Sequence, residues 1–360
     1  MAITGNKGEW SEIYTFFKLL GEKTVYSGDE DLNKIPNLFY PILKVLRSEQ
    51  EKNYDYSING DIVIISEDGT EKLRKPVADF LAKAKELLDK IKKSEGTFGA
   101  HDTEAFMSSI LCHKLKAKSK DKTDIRIVIH DLRTGMCPLL GFSIKSQLGG
   151  DSTLLNASQA TNFTYSIVGS KFSDAEINRI NNISTKSKIQ DRIKAIVKTG
   201  GKLAFKEVDN SVFRNNLQLV DSFLPYILAE MVLNYFSTER KGIKEITEEV
   251  VQNNPLGYDL SYNHIFYEHK MKCFLTDVAL GMMPTIVWTG EYEANGGYLV
   301  VKENGDVLCY HFYNRNLFEN YLYSNTRFET ASSTRNKFGT IEKQKDGSLI
   351  FKLNLQIRFK

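Results

Sequence analysis

The spacing of hydrophobic residues changes along the chain between a helical period and a two-residue period. In residues 7–20, "KGEWSEIYTFFKLL", apolar side chains recur three or four positions apart, which predicts an amphipathic helix. The same reasoning predicts further helices at 35–49, 76–93, 102–115, 221–236 and 262–283. Alternating segments around two-residue turns predict β-hairpins at Asn59-Gly60, Asn304-Gly305 and Asp346-Gly347. The pattern therefore predicts a mixed α+β protein.

Two alternating segments between residues 124 and 150 place polar residues together. Residues 124–131, "DIRIVIHD", carry isoleucine at every second position, and 141–150, "GFSIKSQLGG", continue an apolar face that starts at Leu140. Matching the two apolar faces in an antiparallel pair sets 125 opposite 144 and 127 opposite 142. This register predicts that Asp124 lies opposite Lys145, with Arg126 opposite Ser143 and the rival acid Asp131 near the turn.

An acid beside a lysine suits metal-assisted hydrolysis of a phosphodiester. A carboxylate binds Mg²⁺, while a neighbouring ammonium orients or helps to deprotonate the attacking water and balances charge on the phosphate. One carboxylate anchors Mg²⁺ poorly, so Glu9 or Glu12, on one side of the first helix, is the candidate for a second. The structural alternatives are an Asp124–Lys145 salt bridge and a solvated helix face.

Composition narrows the class of protein without identifying a ligand. The 360 residues are 41% hydrophobic and 26% charged, and 48 basic against 45 acidic residues give a net charge of only +3. Any affinity for nucleic acid must therefore come from local clusters. One cluster is the lysine run in 113–124, which either forms a solvated loop or contacts DNA through Lys118, Lys120 and Lys122.

The cysteines and the N-terminus indicate the cellular compartment. The four cysteines show no CxxC pair, which fits a reducing cytoplasm. The N-terminus lacks the pattern of a secretion signal, and no apolar run approaches the roughly 18 residues of a membrane span. We therefore expect a cytoplasmic protein that does not contact a membrane.

Two segments are rich in hydrogen-bonding side chains that no apolar period explains. Such groups, together with arginine and lysine, read base edges and bind phosphates. The candidates for DNA contact are Asn156, Ser158, Gln159, Thr161 and Asn162 in the first segment, Arg335, Asn336 and Lys337 in the second, and Arg315. For any single residue of the second segment, and for Arg315, a solvent-exposed loop is the simpler interpretation.

Asp124 followed after 18 residues by Ser143-Ile144-Lys145 resembles the PD-(D/E)xK nuclease core, and longer blocks make the resemblance more specific. The segments "NKGEWSEIYTFFKLL", "DEDLNKI", "LGFSIKSQLGG", "TLLNASQATNFTY", "ANGGYLVVKENGDVLCYH" and "FKLNLQIRF" are similar to those of HpaII-type restriction endonucleases. The likeness runs from about residue 6 to the C-terminus. It implies a type II restriction enzyme that cuts duplex DNA at 5′-CCGG-3′ with Mg²⁺, alongside a methyltransferase that protects the host's sites.

The resemblance also assigns roles to residues and regions. Ser143 stands where the motif has an acid, so Glu12, with Glu9 in reserve, replaces the missing metal ligand beside Asp124 and the Ile144 carbonyl. Lys145 is expected to align the attacking water, leaving a 5′-phosphate and a 3′-hydroxyl. From its place on the same face as Lys145, Gln147 is expected either to position the water or a phosphate oxygen, or to bond neighbouring backbone.

The implied architecture is a restriction-endonuclease-like core with a central mixed β-sheet flanked by helices. The nuclease core spans 1–170 and contains the catalytic hairpin 124–147. A mainly helical region spans 171–287, and a β-rich region at 288–360 is a candidate for DNA recognition. A palindromic target favours a two-fold dimer.

Two other classes of function fit the same residues. The chain could be another PD-(D/E)xK nuclease, such as a junction resolvase or repair endonuclease. It could also be a catalytically silent DNA-binding module, in which Asp124 and Lys145 form only an ion pair.

Overall fold

The computed structural model describes residues 3–49, 52–115 and 123–360 and has a mixed α+β fold, which confirms the predicted fold class. The strands are β1 (Thr4–Asn6), β2 (Thr24–Gly28), β3 (Lys34–Glu49), β4 (Lys52–Asn59), β5 (Ile62–Glu67), β6 (Thr70–Pro76), β7 (Thr97–Gly99), β8 (Ile125–Ile129), β9 (Leu139–Ser146), β10 (Thr153–Leu155), β11 (Asn162–Val168), β12 (Lys202–Val208), β13 (Gly297–Val301), β14 (Val307–His311), β15 (Thr326–Phe328), β16 (Ile341–Lys343), β17 (Leu349–Asn354) and β18 (Ile357–Phe359). The helices are α1 (Lys7–Glu22), α2 (Val77–Lys93), α3 (His101–Ser109), α4 (Asp174–Asn181), α5 (Lys188–Lys198), α6 (Ser211–Val220), α7 (Leu224–Ser237), α8 (Ile243–Asn253), α9 (Phe266–Leu280), α10 (Arg315–Asn325) and α11 (Ser333–Asn336).

The chain divides into two compact units, each made of two segments. The first unit comprises 1–152 and 292–321, and the second comprises 153–291 and 322–360. The predicted division into a nuclease core, a helical region and a recognition region concerns function, which chain packing does not test. It stays a prediction.

The first unit is organised around a mixed sheet of nine strands within the described residues, in the order β2-β14-β13-β9-β8-β3-β4-β5-β6. Strand β2 pairs both with β14 and with β3, so six of these strands close into a barrel-like ring. Strand β9 lies between antiparallel β8 and parallel β13. Strand β9 is therefore an interior strand of the sheet, with a partner on each edge.

Helix α1 packs one face into the core of this unit. Trp10, Phe16 and Phe17 on α1 are fully buried, as the helical spacing of the segment predicts. Helix α2 packs against α1 at Gly21, where an added Cβ would lie 2.8 Å from the backbone nitrogen of Leu81. A larger residue at Gly21 would therefore push the two helices apart.

The predicted helix at 35–49 is wrong, because this segment forms the long strand β3. Leu38, Tyr40 and Ile42 are buried at every second position, which is a strand period. Pro36 and Pro41 lack the N–H that a helix interior needs. A register shift after Ile42 then changes which positions face the core, and this shift hides the alternation in the sequence.

The other predicted elements are present with adjusted ends. Helices form at α1, α2, α3, α7 and α9, and the three predicted hairpins form as β4–β5, β13–β14 and β16–β17. Helix α10 was not predicted, because it lies in a region whose alternating sequence pattern indicates hairpins.

The second unit contains two smaller sheets and several helices. The sheets have the strand orders β12-β11-β17-β16 and β10-β18-β15. Among the described residues, no single helix is long and apolar enough to cross a membrane. Helices α6 and α7 meet that test only as a pair, bent by 108°.

His311 at the end of β14 predicts an acid sensitivity of the first unit. It is 1% exposed, and burial lowers its pKa to about 4 against the opposing effect of Asp131. Its Nδ1 accepts a hydrogen bond from the Tyr313 backbone N–H at 2.9 Å. His311 therefore binds a proton near pH 6.5 in the unfolded chain, but only near pH 4 in the folded chain.

We expect His311→Asn to flatten the acid side of the stability profile. The folded pKa lies below the unfolded value, so this residue's destabilising effect is absent above about pH 6.5 and grows as the pH falls toward 4. The full effect is roughly 3 kcal/mol. Urea unfolding of wild type and variant at several pH values measures it, and parallel profiles would contradict the assignment. Asparagine keeps an acceptor for the Tyr313 N–H without titrating.

Candidate active site

The register of β8 and β9 differs by two residues from the predicted one. Ile125 pairs with Phe142 and Ile127 with Leu140, and the Asp124 N–H donates to the Phe142 carbonyl at 2.9 Å. Each side chain keeps its predicted face because the shift is even. The consequence is that Asp124 lies beside Ser143, not opposite Lys145.

The loop between the two strands accounts for the shift. The Asp131 carboxylate accepts bonds from the Arg133 N–H at 2.9 Å and the Thr134 hydroxyl at 3.0 Å, and the Asp131 N–H donates to the Met136 carbonyl. Burial acts to raise the Asp131 pKa, but these hydrogen bonds bring it below its usual value. Asp131 thus organises the turn, as its predicted position near the turn suggests.

The Asp124 carboxylate is oriented by the strand that follows the turn. Its Oδ2 accepts the Ser143 hydroxyl at 3.0 Å and the Ile144 N–H at 2.6 Å. Both donors reach the same oxygen, and within the described residues no hydrogen bond ends on Oδ1. Ser143 is 6% exposed, so it supports Asp124 from within the fold.

Lys145 lies over the ring of a buried tyrosine on the neighbouring parallel strand. Its Nζ is 5.0 Å from the centroid of the Tyr298 ring, and Tyr298 pairs with Ser143. Burial raises the Tyr298 pKa, with further contributions from Tyr321 and from the charge of Asp124. The face of an aromatic ring favours a cation, so Tyr298 stabilises Lys145 as an ammonium.

The alternation of β9 determines where the Ile144 carbonyl is directed. The Gln147 N–H donates to the Val301 carbonyl at 2.8 Å, so residues 143, 145 and 147 direct their backbone groups toward β13. Phe142 and Ile144 direct theirs toward the opposite edge, in agreement with their bonds to Asp124. The Ile144 carbonyl therefore lies on the edge that Asp124 occupies, just beyond the end of β8.

The two glutamates of α1 have different surroundings. Asn6 caps the helix by accepting the Glu9 N–H at 3.0 Å, and the Glu9 carboxylate accepts the Asn6 N–H at 2.9 Å. This reciprocal cap gives Glu9 a structural task. Glu12 is half-buried one turn later. A hydroxyl pair at 2.8 Å, between Ser11 on α1 and Ser146 on β9, fixes this helix against the strand that carries Lys145.

One cavity of about 730 Å³ collects these groups. It is lined by Asn6, Lys7, Gly8, Glu9, Glu12, Glu95, Gly96, Asp124, Ile144, Lys145, Ser146, Leu148, Gly149, Gly150 and Ser152. Ser143 and Gln147 are not among these described lining residues. No group of three His, Cys, Asp or Glu able to hold a metal occurs in the described ranges. A cation here would be held by two carboxylates with backbone oxygen.

The first segment predicted to contact DNA is partly used by the fold of the second unit. Ser158 and Thr161 cap each other's backbone groups around a 3-10 turn, and Thr161 is fully buried. Asn162, 2% exposed, donates to the Asn336 carbonyl at 2.9 Å. Asn156 and Gln159 are exposed.

The remaining predicted contacts divide in the same way. Asn336 is buried and donates to the Ser332 carbonyl at 3.1 Å, while Arg335 and Lys337 are exposed. Arg315 forms an ion pair with Glu319 at 2.6 Å. The predicted contacts at Lys118, Lys120 and Lys122 lie outside the described residues.

Sequence reasoning missed Tyr298 and the Ser11–Ser146 pair. Tyr298 lies in an apolar strand more than 150 residues beyond Lys145, and only the parallel pairing of β9 with β13 brings the two together. A serine on α1 likewise carries no local signal of a distant hydroxyl partner. Both became visible only through tertiary contacts.

Comparison with known proteins gives two matches that cover nearly the whole chain. A family model described as HpaII restriction endonuclease matches residues 6–359. The type II restriction enzyme HpaII of Haemophilus parainfluenzae is 50% identical over 361 residues, covering 99% of this chain and 98% of that enzyme. No solved structure matches the chain significantly.

Proposed function

Because the chain belongs to the HpaII restriction endonuclease family, we propose that its Asp124 cavity is the Mg²⁺-dependent active site that cuts duplex DNA at 5′-CCGG-3′. The chain is a type II restriction endonuclease, a site-specific deoxyribonuclease that acts on double-stranded DNA. Enzymes of this type generally use a divalent metal ion. The observation that carries the proposal is the meeting of Asp124, Glu12 and Lys145 in one cavity.

The donor set of the cavity fits Mg²⁺. Asp124 and Glu12 offer carboxylate oxygens, and Ile144 offers a carbonyl on the Asp124 edge. Mg²⁺ prefers oxygen ligands and keeps several waters, so a site with two carboxylates and room for water suits it. Bound there, the ion would lower the pKa of a water and stabilise charge on the phosphate. Glu9 is the weaker candidate because its carboxylate already caps α1.

The protein's own side chains divide the remaining work. Ser143 and the Ile144 N–H hold Asp124 in one orientation. The Lys145 ammonium, held over Tyr298, aligns the attacking water and offsets the charge that builds on the phosphate. Gln147, which follows β9 and does not line the cavity, is a candidate from the sequence alone for contact with a phosphate oxygen. In-line attack on phosphorus then releases a 5′-phosphate and a 3′-hydroxyl.

The same assignment proposes an architecture and partners. Strands β8 and β9, with α1 beside them, form the PD-(D/E)xK core of the nine-stranded sheet. A homodimer would match a palindromic site, and a methyltransferase would protect host DNA. Asn156, Gln159, Arg335 and Lys337 are the exposed candidates for DNA contact. The lysines at 118, 120 and 122 are further candidates from sequence alone.

Plasmid digestion tests the proposed specificity. We expect discrete fragments from unmethylated plasmid with Mg²⁺, with ends at CCGG, and none when the metal is chelated. Prior methylation of CCGG should protect the plasmid. A smear or structure-selective nicking would favour a repair or junction nuclease instead. Intact plasmid with shifted mobility would favour a binding module.

Tyr298→Leu is expected to slow cleavage more than Tyr298→Phe. The loss of an aromatic face beneath Lys145 should lower the single-turnover rate by about 2- to 30-fold, the range of a cation–π contact. Phenylalanine keeps the ring and should stay closer to wild type. The comparison is made on folded protein at saturating DNA. Equal rates for the two variants would contradict a positioning role for the ring.

A further inference from the structure

A groove in the second unit has no role in the proposed chemistry. Its volume is about 580 Å³, and it is built by three segments that are distant in sequence, namely 186–190, 235–241 and 329–334. The buried side chains of Ile189, Tyr235 and Phe236 contribute to its lining. Tyr235 also shares a hydrogen bond of 2.8 Å with the Thr330 hydroxyl, which joins two of the segments.

The charged side chains that line the groove leave a positive balance. Lys186, Lys188 and Lys241 make no ion pair with any described residue. The other lining cation, Arg240, pairs with Glu249, and the lining acid Glu329 pairs with Arg327 at 2.9 Å. Glu239 is the remaining acid of the lining, and it is exposed. Three uncompensated ammonium groups therefore face one exposed carboxylate.

Neutral hydrogen-bond donors surround these cations. The serine and threonine hydroxyls of the lining are those of Ser187, Thr238, Thr330, Ser332, Ser333 and Thr334. Helix α5 also begins here, and Ser187 at its N-cap makes no side-chain capping bond, so the amides of its first turn are not capped by that side chain. Hydroxyls, ammonium groups and helix-terminal amides are the groups that proteins use to bind phosphate oxygens.

We infer that this groove binds the sugar–phosphate backbone of duplex DNA, independently of base sequence. The cations come from two segments and most hydroxyls from a third, so contacts are spread along the groove and do not converge on a single anion. Spread contacts suit consecutive phosphates, which a duplex presents at about one charge per 1.7 Å of axis. The identity of the ligand as DNA rests on the proposed function.

The test compares two triple variants with equal charge changes. The groove variant is Lys186→Ala/Lys188→Ala/Lys241→Ala. The matched control is Lys194→Ala/Lys198→Ala/Lys202→Ala, three exposed lysines of the same unit that do not line the groove. Each takes the net charge from +3 to 0, because three unit charges are removed. Circular dichroism and thermal unfolding check that each variant is folded.

Binding is measured by fluorescence anisotropy over a range of salt, on a duplex that lacks CCGG and without divalent metal. Three lost phosphate contacts should reduce the slope of log affinity against log salt by about 2 to 3 units. The groove variant should also bind at least about tenfold more weakly at physiological salt, while the control stays near wild type. The variant Lys186→Arg/Lys188→Arg/Lys241→Arg keeps the three positive charges, so it should retain most of the wild-type affinity.

Three results would overturn the inference. The first is an equal salt slope in the groove variant and its control, and the second is a groove-variant slope equal to that of wild type. The third is failure of a polyphosphate competitor to displace the duplex from the wild-type protein. A groove specific for free phosphate or an acidic peptide would appear as binding of that probe with an unchanged DNA slope. Because the duplex lacks the target and metal is absent, these readouts do not depend on where or whether the enzyme cuts. Failure of the CCGG digestion would leave them interpretable.

Discussion

Lys145→Ala is expected to lower the single-turnover rate of DNA cleavage by roughly 10³-fold, the loss associated with removing a preorganised charge from a reacting centre. The ammonium lies over the Tyr298 ring and lines the cavity with Asp124. Under the proposed mechanism, alanine removes the charge that aligns the water and offsets phosphate charge in the transition state. The affinity for CCGG-containing duplex should change little, since the effect arises in the chemical step. Quench-flow cleavage assays and anisotropy titrations measure the two quantities separately.

Lys44→Ala provides a matched control for this substitution. Lys44 is also a partly buried lysine on a strand of the same sheet, but it pairs with Asp55 at 2.9 Å and does not line the cavity. It should cleave at close to the wild-type rate. A Lys145→Ala enzyme that cuts within tenfold of wild type would remove Lys145 from the mechanism.

Glu12→Gln is expected to reduce cleavage at least about 100-fold, whereas Glu9→Gln should cost far less. Glutamine keeps the size of each side chain but removes the charge that a metal ligand supplies. At position 9 the amide oxygen can still accept the Asn6 N–H, so the cap on α1 is retained. At position 12 the loss falls on the cavity itself. Cleavage rates over a range of Mg²⁺ concentrations compare the two variants.

The metal dependence distinguishes ligand loss from general damage. If Glu12 binds the metal, the Mg²⁺ concentration for half-maximal rate should rise in Glu12→Gln and remain near wild type in Glu9→Gln. Thermal unfolding in chelator checks that both variants are folded. The opposite order of effects would assign the second carboxylate to Glu9, and no effect from either would place it elsewhere.

Local pattern was sufficient for elements whose signals lie within one segment. The spacing in 7–20 predicted α1, and the turn residues at Asn304-Gly305 and Asp346-Gly347 predicted hairpins that form. These succeed because amphipathic periodicity and turn chemistry act over a few residues. The helix predicted at 35–49 failed because a register shift interrupts the strand period, and pairing on both edges of β3 outweighs local propensity.

The active-site prediction separates in the same way. Alternation correctly placed Asp124 and Ser143 on the same side of two adjacent antiparallel strands, because the side-chain period of a strand is two. It could not choose between registers that differ by two residues, since both keep every side chain on its face. The hydrogen bonds of the Asp131 turn fix the register of the two strands. In this register the Asp124 carboxylate accepts hydrogen bonds from the Ser143 hydroxyl and the Ile144 N–H.

The sequence by itself determined the α+β class, the family and the pair of strands that carry Asp124 and Lys145. Those properties reside in local patterns and in segments read directly along the chain. Only the tertiary structure decided the ring beneath Lys145 and the meeting of α1 with β9. Each of these depends on contacts between residues far apart in sequence, whose geometry is fixed by packing of the whole unit and leaves little local signal.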